Sequence, residues 1–345
     1  MSDKNKPKKH KPLVGISIGD INGIGPEIII KALDDPRMTR QCIPVIYASG
    51  SIISYYRKLL NRHNFSFNQT ETAENIHPKK TNVVNSWNEK VEITPGEPNS
   101  IGGKYAVLSL RAAVSDLKEK KIQALVTAPI SKELVQENDF DFPGHTEYLA
   151  AEAGQSDSLM TMVYDSLRVA VVTGHIPLGK VEGMISKELI SHKLHMLIQS
   201  LKKDFGIKKP KIAVMGLNPH AGENGKIGME DMEIITPVIN EIKDKGDLIM
   251  GPYPADGFFG SSQFIHFDGI LAMYHDQGLI PFKVLSHGEG VNFTAGLPFI
   301  RTSPAHGTAF NLAGKDVADP TSMRNAIFLA LDLIKEKFPE HTDQY

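Results

Sequence analysis

Cysteine is nearly absent: Cys42 stands alone among 345 residues. No intrachain disulfide can form, which points to a reducing compartment. Long apolar runs are lacking too, and none approaches the ~18 residues needed to span a bilayer. The N-terminal segment has no apolar core, so no signal peptide is expected. Charge of one sign is also missing. A net charge of -2 excludes both a global basic field for nucleic acid and an acidic interaction tail. The single basic run, Lys4 to Lys11, contains Pro7, precedes Pro12 and has no interleaved aromatic residue. It reads as a frayed, disordered tail over residues 1–11 rather than a nucleic-acid patch. GxGxxG turns, a Walker lysine, internal repeats and low-complexity segments are all lacking. These absences describe a cytoplasmic protein with neither a nucleic-acid nor a membrane partner. Cys42 itself opens the apolar run CIPVIYAS, so a buried core thiol is expected rather than a nucleophile.

What is present fits a globular α/β protein. Apolar content is 41% and charged content 23%, and the length suggests two domains at about 100–200 residues each. Short β-branched runs recur, each followed by a Gly- or Pro-bearing loop and often a helical pattern. They are Leu13–Ile18, Ile43–Ala48, Ala124–Val126, Val169–Val172, Ile212–Met215 and Ile270–Met273. Such alternation predicts largely parallel strands covered by helices. The polar stretch from Asn61 to Asn99 predicts surface loop with edge strands. Ser322–Phe338 carries Ile327, Leu331 and Ile334 at helical spacing and predicts a closing amphipathic helix.

Three histidines stand out by context. His175 (TGHIPLG), His220 (GLNPHAGENG) and His275 (YHDQGL) each follow a predicted strand. Ligands of open α/β sheets bind beyond the carboxyl ends of the strands. Three imidazoles delivered there could converge on one divalent metal, and three protein ligands with an open position is the catalytic pattern. Unrelated loop histidines are the bland alternative for each one singly. Neutral ligands leave a dication's charge uncompensated, which favours a chelating substrate. Asp256 (PADG) and Asp276 (HDQG) lie in or near these loops, each as a further ligand, a hydrogen-bonding partner of a ligand or a proton acceptor. Asp256 could equally be a turn residue before Gly257. Lys283, Asn292 and Arg301 are polar groups in an apolar, Gly-rich region, and Arg301 suits bidentate anchoring of phosphate or carboxylate. His145 and Thr146 open a helix in DFPGHTEYLA, where free N–H groups favour an anion; Thr146 could equally be the N-cap. The GDINGIGPE loop could cradle a phosphate, though Pro26 at a helix start accounts for much of it structurally.

GDINGIGPE, TAPISK, DFPGHTEYLA, TGHIPL, GLNPHAGENG, GPYPADGFF, YHDQGLIPFK and GVNFTAGLPFIRTSPAHGTAFNLAGK occur in the order of the 4-hydroxythreonine-4-phosphate dehydrogenase family. The chain resembles that family from about Pro12 to about Arg324. The resemblance implies an α/β, isocitrate/isopropylmalate dehydrogenase-like two-domain fold with a mostly parallel sheet, not a Rossmann fold. The expected division is a cofactor-side domain over 12–132 plus 280–340 and a metal and dimerisation domain over 133–279. The resemblance also implies His175, His220 and His275 as ligands of one divalent metal (zinc, magnesium, cobalt or manganese); Asp256 and Asp276, from their place in the loops, are the candidate catalytic groups. His145, Thr146, Lys283, Asn292 and Arg301 would bind the substrate. The run SPAHGTAFNLAGKDVADPTSM looks like a dinucleotide loop, with His306, Gly307, Thr308 and Asn311 against the cofactor. Asn311 is neutral where relatives carry an acid for NAD or a base for NADP, so NAD is favoured and NADP is the alternative. Ile21 and Asn22 stand where the family usually has Pro-Ala. The implied assembly is a homodimer with shared sites, His175 and His220 from one subunit and His275 from the other.

The expected reaction is NAD-dependent oxidation of 4-phosphooxy-L-threonine to a β-keto acid that decarboxylates. The alternatives are a sister dehydrogenase of a four-carbon phosphorylated sugar acid, or an acyl-phosphate transferase or binding protein on the same scaffold.

Overall fold

The computed structural model describes residues 11–138, 140–142 and 144–339. The basic run and tail expected at the N-terminus therefore lie outside the described residues, apart from Lys11. In chain order the strands are β1 (Leu13–Ser17), β2 (Ile43–Ala48), β3 (Phe67–Thr70), β4 (Thr81–Asn85), β5 (Ala124–Thr127), β6 (Leu159–Tyr164), β7 (Leu167–Thr173), β8 (Lys211–Met215), β9 (Leu248–Tyr253), β10 (Gly269–Tyr274), β11 (Val291–Ala295) and β12 (Ile300–Pro304).

The described residues form two compact units, one made of those before 144 and after 298, the other of 144–298. In the first unit the strand order is β3-β4-β2-β1-β5-β12 and every pairing is parallel. The order differs from the 3-2-1-4-5-6 of a Rossmann sheet. β2 is buried along its whole length and β1 nearly so, which is why both read as unbroken apolar runs. The helix Thr321–Lys337 packs Ala326, Ile327, Ala330, Leu331 and Ile334 into the core. The helix Gly25–Leu33 starts with Pro26 in its first turn, where a missing N–H costs nothing. The polar stretch supplies β3 at the edge of the sheet and β4 between β3 and β2. Cys42 is a buried free thiol whose burial pushes its pKa up to about 12, which makes it inert.

In the second unit the order is β11-β6-β7-β10-β8-β9. β7, β10, β8 and β9 run parallel, whereas β6 is antiparallel to both β7 and β11. That last pairing moves the second crossing between units from the expected residue 280 to 298/299, because Val291–Ala295 bond to Leu159–Val163. Strands β7 and β8 flank β10, with Tyr274 opposite Thr173 and Leu271 opposite Val214. Their carboxyl ends therefore open on one edge, and the loops leaving them carry His175, His275 and His220. No described helix is long and apolar enough to cross a membrane.

The loop after β1 is held from several directions. Asn22 is fully buried; its Oδ1 accepts from the Thr94 N–H at 2.9 Å and its Nδ2 donates to Asn99 Oδ1 at 3.0 Å. An alanine there could make neither bond, so this departure from the family pattern has a structural role. Asp20 accepts from the Asn22 N–H at 2.9 Å through Oδ1, while Oδ2 is buried without a partner. Burial lifts its carboxyl from 3.8 to about 6, against the opposing effect of the Asn22 and Gly23 N–H groups. The folded state thus holds this proton more tightly than the unfolded chain. The associated stability is fully present below about pH 4 and lost as pH rises through about 6, an effect on the order of 3 kcal/mol. Asp20→Asn cannot titrate, so its stability relative to the native chain should climb between pH 4 and 7. Urea midpoints of both proteins across that range check this, and a constant difference contradicts it.

Candidate active site

His175 leaves the end of β7 and His275 opens the helix His275–Ser286 directly after β10. Because those strands are parallel neighbours, the two rings lie side by side, with centroids 5.4 Å apart and planes at 46°. Two imidazoles sharing an ion at 2.0–2.1 Å would have centroids roughly 5 Å apart, so this pair fits a common divalent ion. His275 Nδ1 lies 2.7 Å from Asp276 Oδ1. With Nδ1–H donating to the carboxylate, Nε2 keeps its lone pair for a metal, the orientation that metal-binding histidines usually receive from a carboxylate. The resemblance assigns these two histidines to different subunits; here they are already adjacent within a single chain.

His220 sits in a more unusual turn. Five consecutive residues, His220 to Asn224, have φ between 43° and 76°. Only Gly222 among them lacks a Cβ, and left-handed backbone costs roughly 1–2 kcal/mol for each of the other four. The turn persists because its base is tied down. Asp231, 1% exposed, accepts from the Leu217 N–H at 2.8 Å, the Asn218 N–H at 3.1 Å and Asn218 Nδ2 at 3.0 Å. Gln277 accepts from the Met273 N–H and donates to the Gly216 carbonyl, joining the ends of β10 and β8. Neither Asp231 nor Gln277 stood out in the sequence: an acidic residue before MEIITP reads only as the start of a helix, and a Gln inside YHDQGL carries no distinctive spacing.

Two pockets open at this edge. One, of about 410 Å³, is lined by His220, Asp256, Tyr274, Asp276 and Gln277 among others. The other, of about 470 Å³, is lined by His175, His275, Tyr274 and Asp276. Tyr274 and Asp276 belong to both. Among the described residues, no three His, Cys, Asp or Glu side chains gather closely enough to hold an ion. One chain thus pairs two of the three expected ligands and holds the third in the adjoining pocket. This donor set suits a divalent ion as far as it goes, without closing round one.

The expected substrate groups divide between the units. In the second, Asn292 lies on β11 with Oδ1 buried and unpartnered, and Lys283 is exposed on the helix His275–Ser286. His145 and Thr146 occupy the first turn of the helix His145–Glu152, and the N-cap is Gly144, not Thr146. Gly144 is extended at the cap position, and no side chain caps the helix. In the first unit, Arg301 on β12 is 2% exposed; Nε and Nη2 donate to Thr127 Oγ1 at 3.1 and 2.7 Å, which fixes the guanidinium plane. His306, Gly307, Thr308 and Asn311 share one loop after β12. Burial lowers the His306 pKa, so the ring is neutral, and its Nε2 is buried without a partner. The Thr308 carbonyl accepts from the Ile24 N–H at 2.9 Å. Asn311 is exposed.

Residues 40–330 match the family described as pyridoxal phosphate biosynthetic protein PdxA. The chain is 47% identical over 332 residues to the 4-hydroxythreonine-4-phosphate dehydrogenase of Bacteroides thetaiotaomicron, covering 96% of this chain and 91% of that one. It is 39% identical to an Oceanobacillus iheyensis protein provisionally named D-threonate 4-phosphate dehydrogenase, over 95% and 99% of the two chains. Among solved structures, the 4-hydroxythreonine-4-phosphate dehydrogenase of Klebsiella pneumoniae superposes with a TM-score of 0.82 at 33% identity, over 95% of this chain and 100% of that one.

The ring pair yields a direct expectation. His175→Ala or His275→Ala should weaken zinc or cobalt binding at least tenfold, because each removes one of two adjacent donors. Competition against a chromophoric chelator measures this. A variant that still binds one equivalent at native affinity rules that histidine out as a ligand.

Proposed function

This chain belongs to the pyridoxal phosphate biosynthetic protein PdxA family, and from that premise we propose that it oxidises 4-phosphooxy-L-threonine with NAD in the synthesis of pyridoxine 5'-phosphate. The observation that carries this reading is the His175–His275 pair, oriented by Asp276, beside a pocket lined by His220 and Asp256. Its relatives are named dehydrogenases, which gives no support to a transferase or a binding protein.

A divalent ion held by His175, His220 and His275, whether zinc, magnesium, cobalt or manganese, would supply the Lewis acidity that eases loss of the hydroxyl proton. The chain's own groups supply the rest. Asp276 is engaged in fixing the His275 ring, which leaves Asp256 in the same pocket as the acceptor of the hydroxyl proton. In the first unit Arg301, with its plane fixed by Thr127, is the group suited to a phosphate, and in the second Lys283, Asn292, His145 and Thr146 are the candidate substrate-binding groups. A bound nicotinamide cofactor would supply the hydride acceptor for the hydroxyl-bearing carbon. The resulting ketone lies β to the carboxylate, so carbon dioxide can leave as the ketone accepts the electrons, giving 3-amino-2-oxopropyl phosphate. His306, Gly307, Thr308 and Asn311 are the residues that would hold the dinucleotide. Asn311 brings no cation for a 2′-phosphate, which favours NAD over NADP.

We also place two copies of the chain at each site. Leu178 and Ile280 line the two pockets and are 74% and 60% exposed. A second copy covering them would bring further donors to the His175–His275 pair. The assembly is then a homodimer with shared sites.

The relative named for D-threonate 4-phosphate favours one second reading, in which the same anchors serve a substrate without an amino group. A panel of 4-phosphooxy-L-threonine, D-threonate 4-phosphate and D-erythronate 4-phosphate, each with NAD and NADP, separates the two. The highest kcat/KM is expected for the amino acid with NAD. A higher value for either sugar acid transfers the assignment to the sister activity, and no metal-dependent reduction with any of them overturns both.

A further inference from the structure

We propose that Asp231 is a positioning residue for metal binding, whose buried carboxylate holds the left-handed turn that presents His220. The proposal rests on the reading that His220 binds the divalent ion.

Three features converge on Asp231. Both carboxylate oxygens face N–H donors: Oδ1 takes the Leu217 N–H, and Oδ2 takes the Asn218 N–H and the Asn218 side-chain amide. Asp231 is 1% exposed and does not line the pocket beside His220, so it acts through the loop it grips. Next, the chain is packed directly on the carboxylate. A Cβ at Gly216 would meet Asp231 Oδ1 at 2.6 Å, and one at Gly222 would meet the Asp231 side chain at 3.3 Å. Glycine on both sides lets residues 216–222 wrap this one side chain. Finally, the turn it anchors is strained from His220 to Asn224, and such backbone persists only where the surroundings over-determine it. Hydrogen bonds closing the turn include Ala221 N–H to the Asn218 carbonyl at 3.1 Å, Ile227 N–H to the Gly222 carbonyl at 3.1 Å and Lys226 N–H to the Glu223 carbonyl at 3.3 Å. The first of these starts at Asn218, the residue Asp231 grips twice.

The position of Asp231 adds to this. It begins the single π-turn, Asp231–Ile235, among the described residues, and π-turns are often retained where a side chain must be aimed. Thr236 Oγ1 donates to the Asp231 carbonyl at 2.7 Å and so holds that turn open. The carboxylate is therefore braced from the helix side while it grips the loop. Asn218 also donates to Glu230 Oε2 at 2.7 Å, which makes it the shared partner of two consecutive acids.

The test compares native protein with Asp231→Asn, Asp231→Glu, Asn218→Ala and His220→Ala. Cobalt(II) affinity is read by chelator competition, cobalt coordination by visible absorption, and melting temperature with EDTA and with cobalt. Asp231→Asn keeps the shape but turns an NH2 group toward N–H donors. It should bind cobalt 10–100-fold more weakly, with an altered visible spectrum and a smaller cobalt-induced rise in melting temperature. Asp231→Glu should recover part of the affinity and Asn218→Ala should lose affinity in the same direction. A purely structural role would lower both melting temperatures equally and leave affinity and spectrum unchanged; that result overturns the proposal. If His220→Ala weakens binding and Asp231→Asn does not, the positioning role alone is wrong. If His220→Ala leaves affinity unchanged, the reading of His220 as a ligand fails and the proposal fails with it. Should Asp231→Asn not fold, Asn218→Ala decides: weaker cobalt binding supports the proposal and native affinity overturns it.

Discussion

Parallel pairing of β10 with β7 on one side and β8 on the other brings three loops to one edge of the second unit. Each strand end then needs only a short loop to place a histidine over that edge. The rise of a strand and the spacing between neighbours are set by backbone hydrogen bonding, so His175 and His275 come together without any contact designed between them. The third loop needs more. It leaves β8 and turns left-handed at once, and a buried carboxylate and a glutamine hold it there.

Buried polar groups elsewhere in the chain follow the same rule. Asp231, Asn22 and Arg301 are each nearly or fully hidden from solvent. In each case the atoms at issue meet donors or acceptors from neighbouring backbone or hydroxyl groups. Buried polar groups so satisfied rigidify the segments they join. Asp20 and His306 are different: each keeps a buried atom without a partner, and burial pushes each toward its neutral form. At the edge carrying the histidines Asp231 is so satisfied, while in the first unit Asp20 and His306 each keep an unpartnered buried atom.

Much of the fold was legible because buried parallel strands are written as continuous apolar runs. Leu13–Ile18, Ile43–Ala48, Val169–Val172 and Ile270–Met273 all fall on strands. β11 (VNFTA) and β12 (IRTSP) mix polar and apolar residues, and they did not stand out. Missing β11 placed the crossing between units near 280, since its antiparallel bond to β6 joins segments far apart in sequence and leaves no local trace. The strand-end histidines were legible because topology alone puts them on one edge. Their supports were not, since Asp231 acts on residues 217 and 218 through a loop whose left-handed course no local pattern announces. Of the two readings open for Thr146, the N-cap is excluded, because the backbone gives the cap to Gly144.

The central claim is that His175, His220 and His275 form one site completed by two copies of the chain. Mixed subunits test it most directly. His220→Ala and His275→Ala should each be inactive alone. Unfolded together in equal amounts and refolded, half of their dimers should be hybrids. If His220 and His275 of one site come from different copies, each hybrid has one pocket with both lesions and one wholly native pocket. About a quarter of native sites should then return under two-fold symmetry. The expected result is recovery of roughly that fraction of metal-dependent NADH formation. No recovery, with hybrid dimers confirmed by differential tags, would contradict the claim and confine His220 and His275 to a single chain.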